Sequence, residues 1–221
     1  MSTIIKICGL KTPETVAAAV HAGADWVAFN FFAPSPRFVS REEARTLGAQ
    51  VKHPTKKVAL VVNADDAALA AIVEALKPDL LQLHGSETPE RVAAIRATFG
   101  LPVIKAFGIT DADDLIALRR YESVADWLLL DAKPPKGAAL PGGNGVRFDL
   151  KLLAGLDLAK PFMVSGGLDP ANVAEALLVS GAQGVDVSSG VESAPGVKDP
   201  ERIKAFIHAA READRLRLGK D

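Results

Sequence analysis

The only cysteine of this sequence, Cys8, ends an apolar run and is followed by Gly9. A thiol acts as a base only in its thiolate form, so this role needs a positive neighbour that lowers the pKa of the thiol. The alternative is a small buried core residue, which is the commoner fate of a lone cysteine. Its place at the end of a strand, directly before glycine, moves it toward the carboxyl edge of the sheet, so a core residue and a base are both open at this point.

An acidic residue, Asp131, ends a second apolar run, Trp127-Leu128-Leu129-Leu130. A carboxyl group that burial keeps protonated can serve as a general acid, whereas a merely structural carboxylate would cap a loop or helix. The stretch after it, 132–147, is rich in proline, glycine and lysine. A loop this long is either functional or a tolerated surface segment, and we favour an active-site loop because it leaves the strand that ends in Asp131.

Arg37 lies in a short loop between Pro36 and Phe38, with Pro34 just before it. The two prolines restrict the backbone, and a guanidinium held in place can bind a carboxylate through two parallel hydrogen bonds. A surface arginine is the ordinary alternative. The rigid loop favours recognition of a carboxylate.

Two short segments of serine and glycine suggest a phosphate site. Glycines allow a close approach of backbone N–H groups to an anion, and barrels of parallel strands often bind phosphate between the loops after their last two strands. The candidate residues are Gly166 and Gly167 in the first segment, and Ser188, Ser189 and Gly190 in the second. Two further polar residues, His84 and Asp186, stand near the ends of apolar runs and are candidates for substrate binding.

Composition narrows the class of partner. The formal net charge of −1 argues against electrostatic capture of nucleic acid or of an anionic membrane, and no apolar run has the roughly 18–20 residues that cross a bilayer. One cysteine and one histidine at strand ends are too few ligands for zinc. With no disulfide pair and no signal-peptide pattern, we predict a cytoplasmic protein that binds a small phosphorylated molecule.

Short apolar runs alternate with longer amphipathic, alanine-rich segments along the whole chain. This order is typical of βα units, and continuously apolar runs suit parallel strands that are buried on both faces. The predicted strands are Ile4–Cys8, Trp26–Phe32, Lys57–Val62, Leu80–Leu83, Val103–Phe107, Trp127–Asp131, Phe162–Val164 and Gly184–Val187. The predicted helices are 13–22, 41–50, 66–76, 89–98, 112–120, 149–154, 170–179 and 200–212.

The starts of the helices repeat a chemical pattern, in which a side-chain oxygen precedes a proline. It occurs at Thr12-Pro13, Thr88-Pro89, Asp169-Pro170 and Asp199-Pro200. Repeated modules and eight units favour one α/β domain over residues 1–221, a (β/α)8 TIM barrel. An open doubly wound sheet is the main alternative, but it would bring together only the strand ends near its switch point.

Taken together, these motifs resemble the phosphoribosylanthranilate isomerase family of tryptophan biosynthesis, and the resemblance runs through nearly the whole chain. Asn144 departs from the threonine or serine usual in the family. The segments that carry the resemblance are Lys6-Ile7-Cys8-Gly9-Leu10, Gly23-Ala24-Asp25, Ser35-Pro36-Arg37-Phe38-Val39-Ser40, Leu81-Gln82-Leu83-His84-Gly85, Leu130-Asp131, Gly142-Gly143-Asn144-Gly145, Gly166-Gly167-Leu168 and Gly184-Val185-Asp186-Val187-Ser188-Ser189-Gly190-Val191-Glu192.

The resemblance implies an Amadori rearrangement of N-(5′-phosphoribosyl)anthranilate, without metal or organic cofactor. By matching position, Asp131 would be the general acid and Cys8 the general base, while Arg37 would hold the anthranilate carboxylate. His84 and Asp186 would position the substrate. The phosphate would be held by Gly166, Gly167, Ser188, Ser189 and Gly190.

Three other functions fit the sequence less well. The related isomerase of histidine biosynthesis places aspartates on strands one and five, whereas these strands end here in Cys8 and in Lys105-Ala106-Phe107. A metal-dependent sugar-phosphate epimerase lacks ligands, and a catalytically silent phosphate-binding barrel would not need both proton-transfer groups. The sequence fits a monomer and a homodimer equally well.

Overall fold

The fold is taken from a computed structural model that describes residues 2–133, 149–217 and Gly219. Most of the predicted active-site loop at 132–147 lies outside the described residues, as does the segment Gly142-Gly143-Asn144-Gly145. All ten candidate site residues lie within them.

Eight parallel strands close into a barrel in the order in which they occur along the chain, β1 to β8, with β8 pairing β1. This confirms the predicted (β/α)8 fold, and predicted strand ends differ from the observed ones by at most two residues. The strands are β1 (Ile4–Cys8), β2 (Trp26–Asn30), β3 (Lys56–Val61), β4 (Leu80–Leu83), β5 (Val103–Ile109), β6 (Trp127–Ala132), β7 (Phe162–Val164) and β8 (Gly184–Val187).

Helices surround the barrel, and a small antiparallel hairpin, β9 (Glu192–Ala194) and β10 (Val197–Lys198), follows β8. The helices are α1 (Pro13–His21), α2 (Arg41–Gly48), α3 (Asp66–Leu76), α4 (Pro89–Phe99), α5 (Ala112–Leu118), α6 (Val173–Ser180) and α7 (Pro200–Arg217).

Three helix predictions differ substantially from the structure: the last helix runs to Arg217 and not to 212, and two others differ at or from their starts. The segment predicted as a helix at 149–154 is a 3-10 turn over Leu150–Leu153, because Asp149 closes a tight turn on the Lys151 N–H and Gly155 leaves it with φ +74°. The helix predicted from 170 begins only at Val173, since the Asp169 side chain accepts from the N–H groups of Ala171 and Asn172 in a preceding turn.

The other predicted helix starts are confirmed. The Thr12 and Thr88 side chains accept the N–H groups of Thr15 and Arg91, and Asp199 accepts those at the start of α7. These caps fix where each helix leaves the rim of the barrel and therefore where the preceding loop must lie.

The alternation of side chains along each strand divides the core into two layers. Ile5 and Ile7 point outward into the layer between barrel and helices, while Cys8 joins Trp26 and Met163 inside the barrel. Toward the carboxyl ends of the strands the interior becomes polar. The inward positions there carry Lys6, Cys8, Asn30, Gln82, His84, Asp131, Ser165 and Asp186.

Candidate active site

A cavity opens at the carboxyl ends of the strands, where parallel strands of a barrel converge. It contains about 620 Å³ of space, including the part that is open to solvent. Nine of the ten predicted site residues line it, and Gly190 does not. The lining residues that the argument uses are Cys8, Asn30, Ser35, Arg37, His84, Asp131, Ser165, Gly166, Gly167, Asp186, Ser188 and Ser189.

Asp131 stands at the end of β6 with its carboxyl group facing the cavity and 5% of the residue exposed. Oδ1 accepts the Ala132 N–H at 2.8 Å, which fixes the orientation of the group. Oδ2 lies 3.6 Å from His84 Nε2. The carboxyl group is therefore held by its own backbone on one side and presents its second oxygen toward the imidazole and the cavity.

Gln82 supports this imidazole from below. Its Nε2 lies 2.9 Å from His84 Nδ1, and both side chains point inward from the end of β4. If the amide donates this hydrogen bond, Nδ1 is the acceptor and the ring proton sits on Nε2, which faces Asp131. Within the described residues, Gln82 Oε1 is a buried side-chain oxygen without a hydrogen-bond partner.

Cys8 lies across two strands from Asp131, at the end of β1, and is also 5% exposed. Burial raises the pKa of its thiol above the ordinary value, and the negative charge of Asp186 adds to this effect. The nearby cations Lys6, Lys198 and Arg37 act in the opposite direction. The positive neighbours that a thiolate needs are therefore present, although burial outweighs them.

Asp186 is fixed by two partners. Lys6 Nζ donates to Oδ1 at 2.7 Å, and Ser165 Oγ donates to Oδ2 at 3.1 Å. Burial lowers the pKa of Lys6, but the contacts with Asp186 and Cys8 outweigh it and leave this pKa raised. The raised pKa favours the charged ammonium of Lys6 at the floor of the cavity.

Arg37 is held by a carboxylate that the sequence analysis did not single out. Its Nε and Nη2 donate to Glu192 Oε1 and Oε2 at 2.7 and 2.9 Å, and Lys198 Nζ donates to Oε1 at 2.7 Å. Burial alone would raise the pKa of Glu192, but Arg37 and Lys198 lower it. Burial lowers the pKa of Lys198 to about 8.

The loop that carries Arg37 is fixed by polar side chains as well as by its prolines. Asn30 accepts the Phe32 N–H and donates to Ser35 Oγ, which in turn accepts the Arg37 N–H at 3.1 Å. Gly9 leaves room for the arginine, because a Cβ there would lie 2.8 Å from Arg37 Cδ. The residue after Cys8 thus shapes the position of Arg37.

The two predicted phosphate segments follow β7 and β8 and lie side by side. Gly166 and Gly167 have φ values of +84° and +62°, which favour glycine. A Cβ at Gly166 would lie 3.0 Å from Asp131 Oδ1. At Gly190 a Cβ would collide with the Leu168 carbonyl oxygen. This glycine therefore allows the loop after β8 to pack against the loop after β7.

Sequence reasoning missed Lys6, Gln82, Asn30, Glu192 and Lys198. The first three had a signal, since each stands two residues from a site position or at a strand end on the inward face. Glu192 lies in a segment that carries the family resemblance, but no local pattern links it or Lys198 to Arg37, because the three residues meet only through the closure of the barrel.

Two other features, a metal-binding cluster and a membrane-spanning helix, are absent from the described residues. No group of three or more histidine, cysteine, aspartate or glutamate side chains is arranged there to hold a metal ion. Nor does any helix in this part of the chain combine the length and apolar character that a membrane crossing requires.

A parallel-stranded barrel with a thiol, a carboxyl group and an arginine around one cavity, and with paired serine-glycine loops on its rim, defines a (β/α)8-barrel enzyme for a small anionic substrate. The model of a single family, described as N-(5′-phosphoribosyl)anthranilate (PRA) isomerase, matches residues 5–209. The chain belongs to this family of isomerases.

Relatives and solved structures agree with this assignment. The chain is 60% identical to the N-(5′-phosphoribosyl)anthranilate isomerase of Rhodopseudomonas palustris strain HaA2, over 97% of this chain and 98% of the relative. It is 57% identical to the N-(5′-phosphoribosyl)anthranilate isomerase of Nitrobacter winogradskyi, over 97% of this chain and 95% of the relative.

Among solved structures, the fold is similar to the phosphoribosylanthranilate isomerase of Thermotoga maritima. The TM-score is 0.85 at 33% identity, covering 95% of this chain and 99% of that one. It is also similar to a phosphoribosylanthranilate isomerase in complex with reduced 1-(o-carboxyphenylamino)-1-deoxyribulose 5-phosphate. For this complex the TM-score is 0.83 at 32% identity, and the match covers 95% of this chain and 99% of the chain in the complex.

Proposed function

We propose that this chain converts N-(5′-phosphoribosyl)anthranilate to 1-(2-carboxyphenylamino)-1-deoxyribulose 5-phosphate in tryptophan biosynthesis. Family membership supports the reaction. The observation that carries the assignment of residues is that Asp131 and Cys8 line one cavity, with the two serine-glycine loops between them on the rim. A phosphate held by those loops leaves the sugar within reach of an acid on β6 and a base on β1.

The acid acts first. Asp131, in its protonated form, gives its proton to the ribose ring oxygen, and the bond between that oxygen and C1′ breaks as the anthranilate nitrogen forms a Schiff base. Its orientation is set by the bond from the Ala132 N–H, and the His84 Nε2 lies beside its second oxygen. His84 would position the open-chain sugar near this group.

The base acts second. The Cys8 thiolate takes the proton from C2′, and the electron pair of that bond forms the C1′–C2′ double bond of an enolamine while the Schiff-base nitrogen is neutralised. The enolamine then tautomerises to the ketone. Asp131 ends the turnover ionised and Cys8 ends it protonated, and exchange with solvent restores both groups. No metal or organic cofactor enters these steps.

The remaining residues would bind the substrate. Arg37 would hold the anthranilate carboxylate while Glu192 keeps the guanidinium in place. Asp186, fixed by Lys6 and Ser165, would position the sugar from the cavity floor. The phosphate would be cradled by Gly166, Gly167, Ser188 and Ser189, while Gly190 lets the two loops pack against each other.

The setting of the reaction is part of the same proposal. We expect the whole chain, 1–221, to act as one cytoplasmic domain on a small phosphorylated molecule, without nucleic acid or membrane as partner. A solved structure named for monomers generated from a dimeric isomerase of Thermotoga maritima shares this fold, with a TM-score of 0.82 at 32% identity. Monomer and homodimer are both compatible with the cavity described.

The test is the loss of fluorescence of freshly prepared phosphoribosylanthranilate when purified protein is added. We expect decay that is proportional to enzyme concentration and far above the uncatalysed rate. Decay at the uncatalysed rate would contradict the proposal and would favour a catalytically silent phosphate-binding barrel. Inorganic phosphate should inhibit competitively if the rim loops bind the phosphate group.

A further inference from the structure

One charged residue of the cavity floor has no part in the steps above. Lys6 is completely buried and is among the largest fully buried side chains of the described structure. It lies two residues before Cys8 on β1, so the alternation of the strand puts both side chains on the inward face. The ammonium therefore lies directly beneath the thiol.

Stability does not explain a buried lysine at this place. Its partner Asp186 is also buried, and Nζ and Oδ1 are 2.7 Å apart. Taking two charges out of water costs several kcal/mol per ion, and a well-packed apolar pair of similar size is often as stable or more stable. An ion pair at the floor of a catalytic cavity is better explained by its effect on the groups above it.

The charges around the thiol do not balance. Three cations and one carboxylate act on the thiol, and a second carboxylate pairs with two of these cations, so the formal charge of the five groups is +1 and a thiolate would neutralise it. Across the cavity stand His84 and Asp131. The surrounding charged groups are Lys6, Lys198 and Arg37 on the positive side and Asp186 and Glu192 on the negative side.

We propose that Lys6 is a positioning residue that stabilises the thiolate of Cys8, while Asp186 holds its ammonium beneath the sulfur. The inference rests on the proposed role of Cys8 as the base. The thiol releases its proton to solvent, Lys6 keeps its own proton throughout, and the thiolate then accepts the C2′ proton of the substrate. Lys6 contacts the sulfur of Cys8 but takes no part in moving the proton, so it acts through Cys8.

Two electrostatic effects of opposite sign support this geometry. The Lys6 charge lowers the pKa of Cys8, whereas the Asp186 charge raises it, and both act against a background of burial that raises it. Removal of Lys6 should therefore make the thiolate scarcer, and removal of the Asp186 charge should make it more abundant. A purely structural pair would respond to both changes in the same way.

The experiment uses the fact that Cys8 is the only cysteine. The rate of alkylation by iodoacetamide, followed by mass spectrometry between about pH 7 and 9, reports the thiolate fraction of this one residue without substrate. We expect Lys6→Gln to be alkylated about tenfold more slowly than the parent, which corresponds to a rise of about one pKa unit. The control Lys56→Gln, at an exposed position at the start of β3, should match the parent.

Asp186→Asn should be alkylated faster than the parent. If both variants are alkylated faster than the parent, the ion pair only limits access of the reagent to the thiol, and the proposal is overturned. The proposal is also overturned if Lys6→Gln is alkylated at the rate of the parent. If Lys6→Gln does not fold, the double variant Lys6→Met/Asp186→Asn replaces it, because it leaves no unpaired buried charge. This double variant is compared with Asp186→Asn alone, and we expect the double variant to be alkylated more slowly. Because no substrate is present, these results are independent of whether the isomerase activity itself is found.

Discussion

The acid side and the base side of the cavity are built in different ways. Asp131 on β6 meets one backbone N–H and one imidazole. Cys8 on β1 has three cations near it, one of which belongs to a buried ion pair. Both groups are 5% exposed, so the contrast lies in charge and not in burial.

This contrast matches what each group must do. A general acid has to carry its proton when the substrate arrives, and a nearby full positive charge would remove that proton. A base that starts as a neutral thiol has to become an anion, and nearby cations favour that form. Two environments with different charge around one small cavity allow an acid and a base to work at the same pH.

Loss of the acid should lower kcat by orders of magnitude. Asp131→Asn keeps the shape of the side chain but removes the proton that opens the ribose ring, so kcat should fall by about 10²–10⁴. The measurement is the fluorescence decay of phosphoribosylanthranilate at saturating concentration. Asp66→Asn, at an exposed position at the start of α3, should leave kcat unchanged. An unchanged kcat in Asp131→Asn would remove this residue from the mechanism.

Substitution of Arg37, which would bind the substrate carboxylate on the base side of the cavity, should raise KM. Arg37→Lys cannot reproduce the two bonds to Glu192 at 2.7 and 2.9 Å together with a fixed contact to the substrate. We expect KM to rise about 10–100-fold with a smaller change in kcat, as for the loss of a bidentate charged contact. Arg45→Lys on the exposed face of α2 is the matched control. A fall in kcat with KM unchanged would show that Arg37 does not bind the ground-state substrate.

A smaller effect is expected from Gln82, which acts on Asp131 only through His84. Gln82→Leu removes the bond to His84 Nδ1, so the imidazole loses its fixed orientation, and kcat should fall about tenfold, or about 1.4 kcal/mol. Thermal unfolding should be little changed, since the same substitution removes the buried Oε1, which has no partner among the described residues. Full activity with lowered stability would show that Gln82 is only a core residue.

The smallest effect concerns pH. Because burial lowers the pKa of Lys198 to about 8, its ammonium is charged below that pH and neutral above it. Above pH 8 the attraction of this side of the cavity for an anionic substrate should weaken, and KM should rise about two- to threefold between pH 7 and 9. In Lys198→Met the KM should be higher at pH 7 and show no such rise. The same rise in the variant would assign the titration to another group.

Much of the site could be predicted because parallel strands bring their carboxyl ends together. Cys8 and Asp131 were recognised since each ends an apolar run, and His84 and the rim loops since they follow such runs. Lys6 was missed although strand alternation puts its side chain on the same face of β1 as Cys8. The sequence alone does not show that this face points into a closed barrel. The Arg37–Glu192 pair joins residues 155 positions apart, which no local pattern reveals.

The helix predicted at 149–154 failed for a different reason. A segment of six residues is too short for hydrophobic periodicity to distinguish a helix from a 3-10 turn, and Asp149 and Gly155 decided in favour of the turn. The active-site loop predicted at 132–147 lies largely outside the described residues, so its role stays a prediction.

The central claim is that the thiol of Cys8, among its cations, removes the C2′ proton. The most direct test is kcat of Cys8→Ser in the fluorescence assay, because serine keeps the size of the side chain but is a far weaker acid than a thiol. We predict a fall of about 10²–10⁴ with an unchanged circular dichroism spectrum. A kcat within threefold of the parent would contradict the claim and leave Cys8 as a residue of the barrel core.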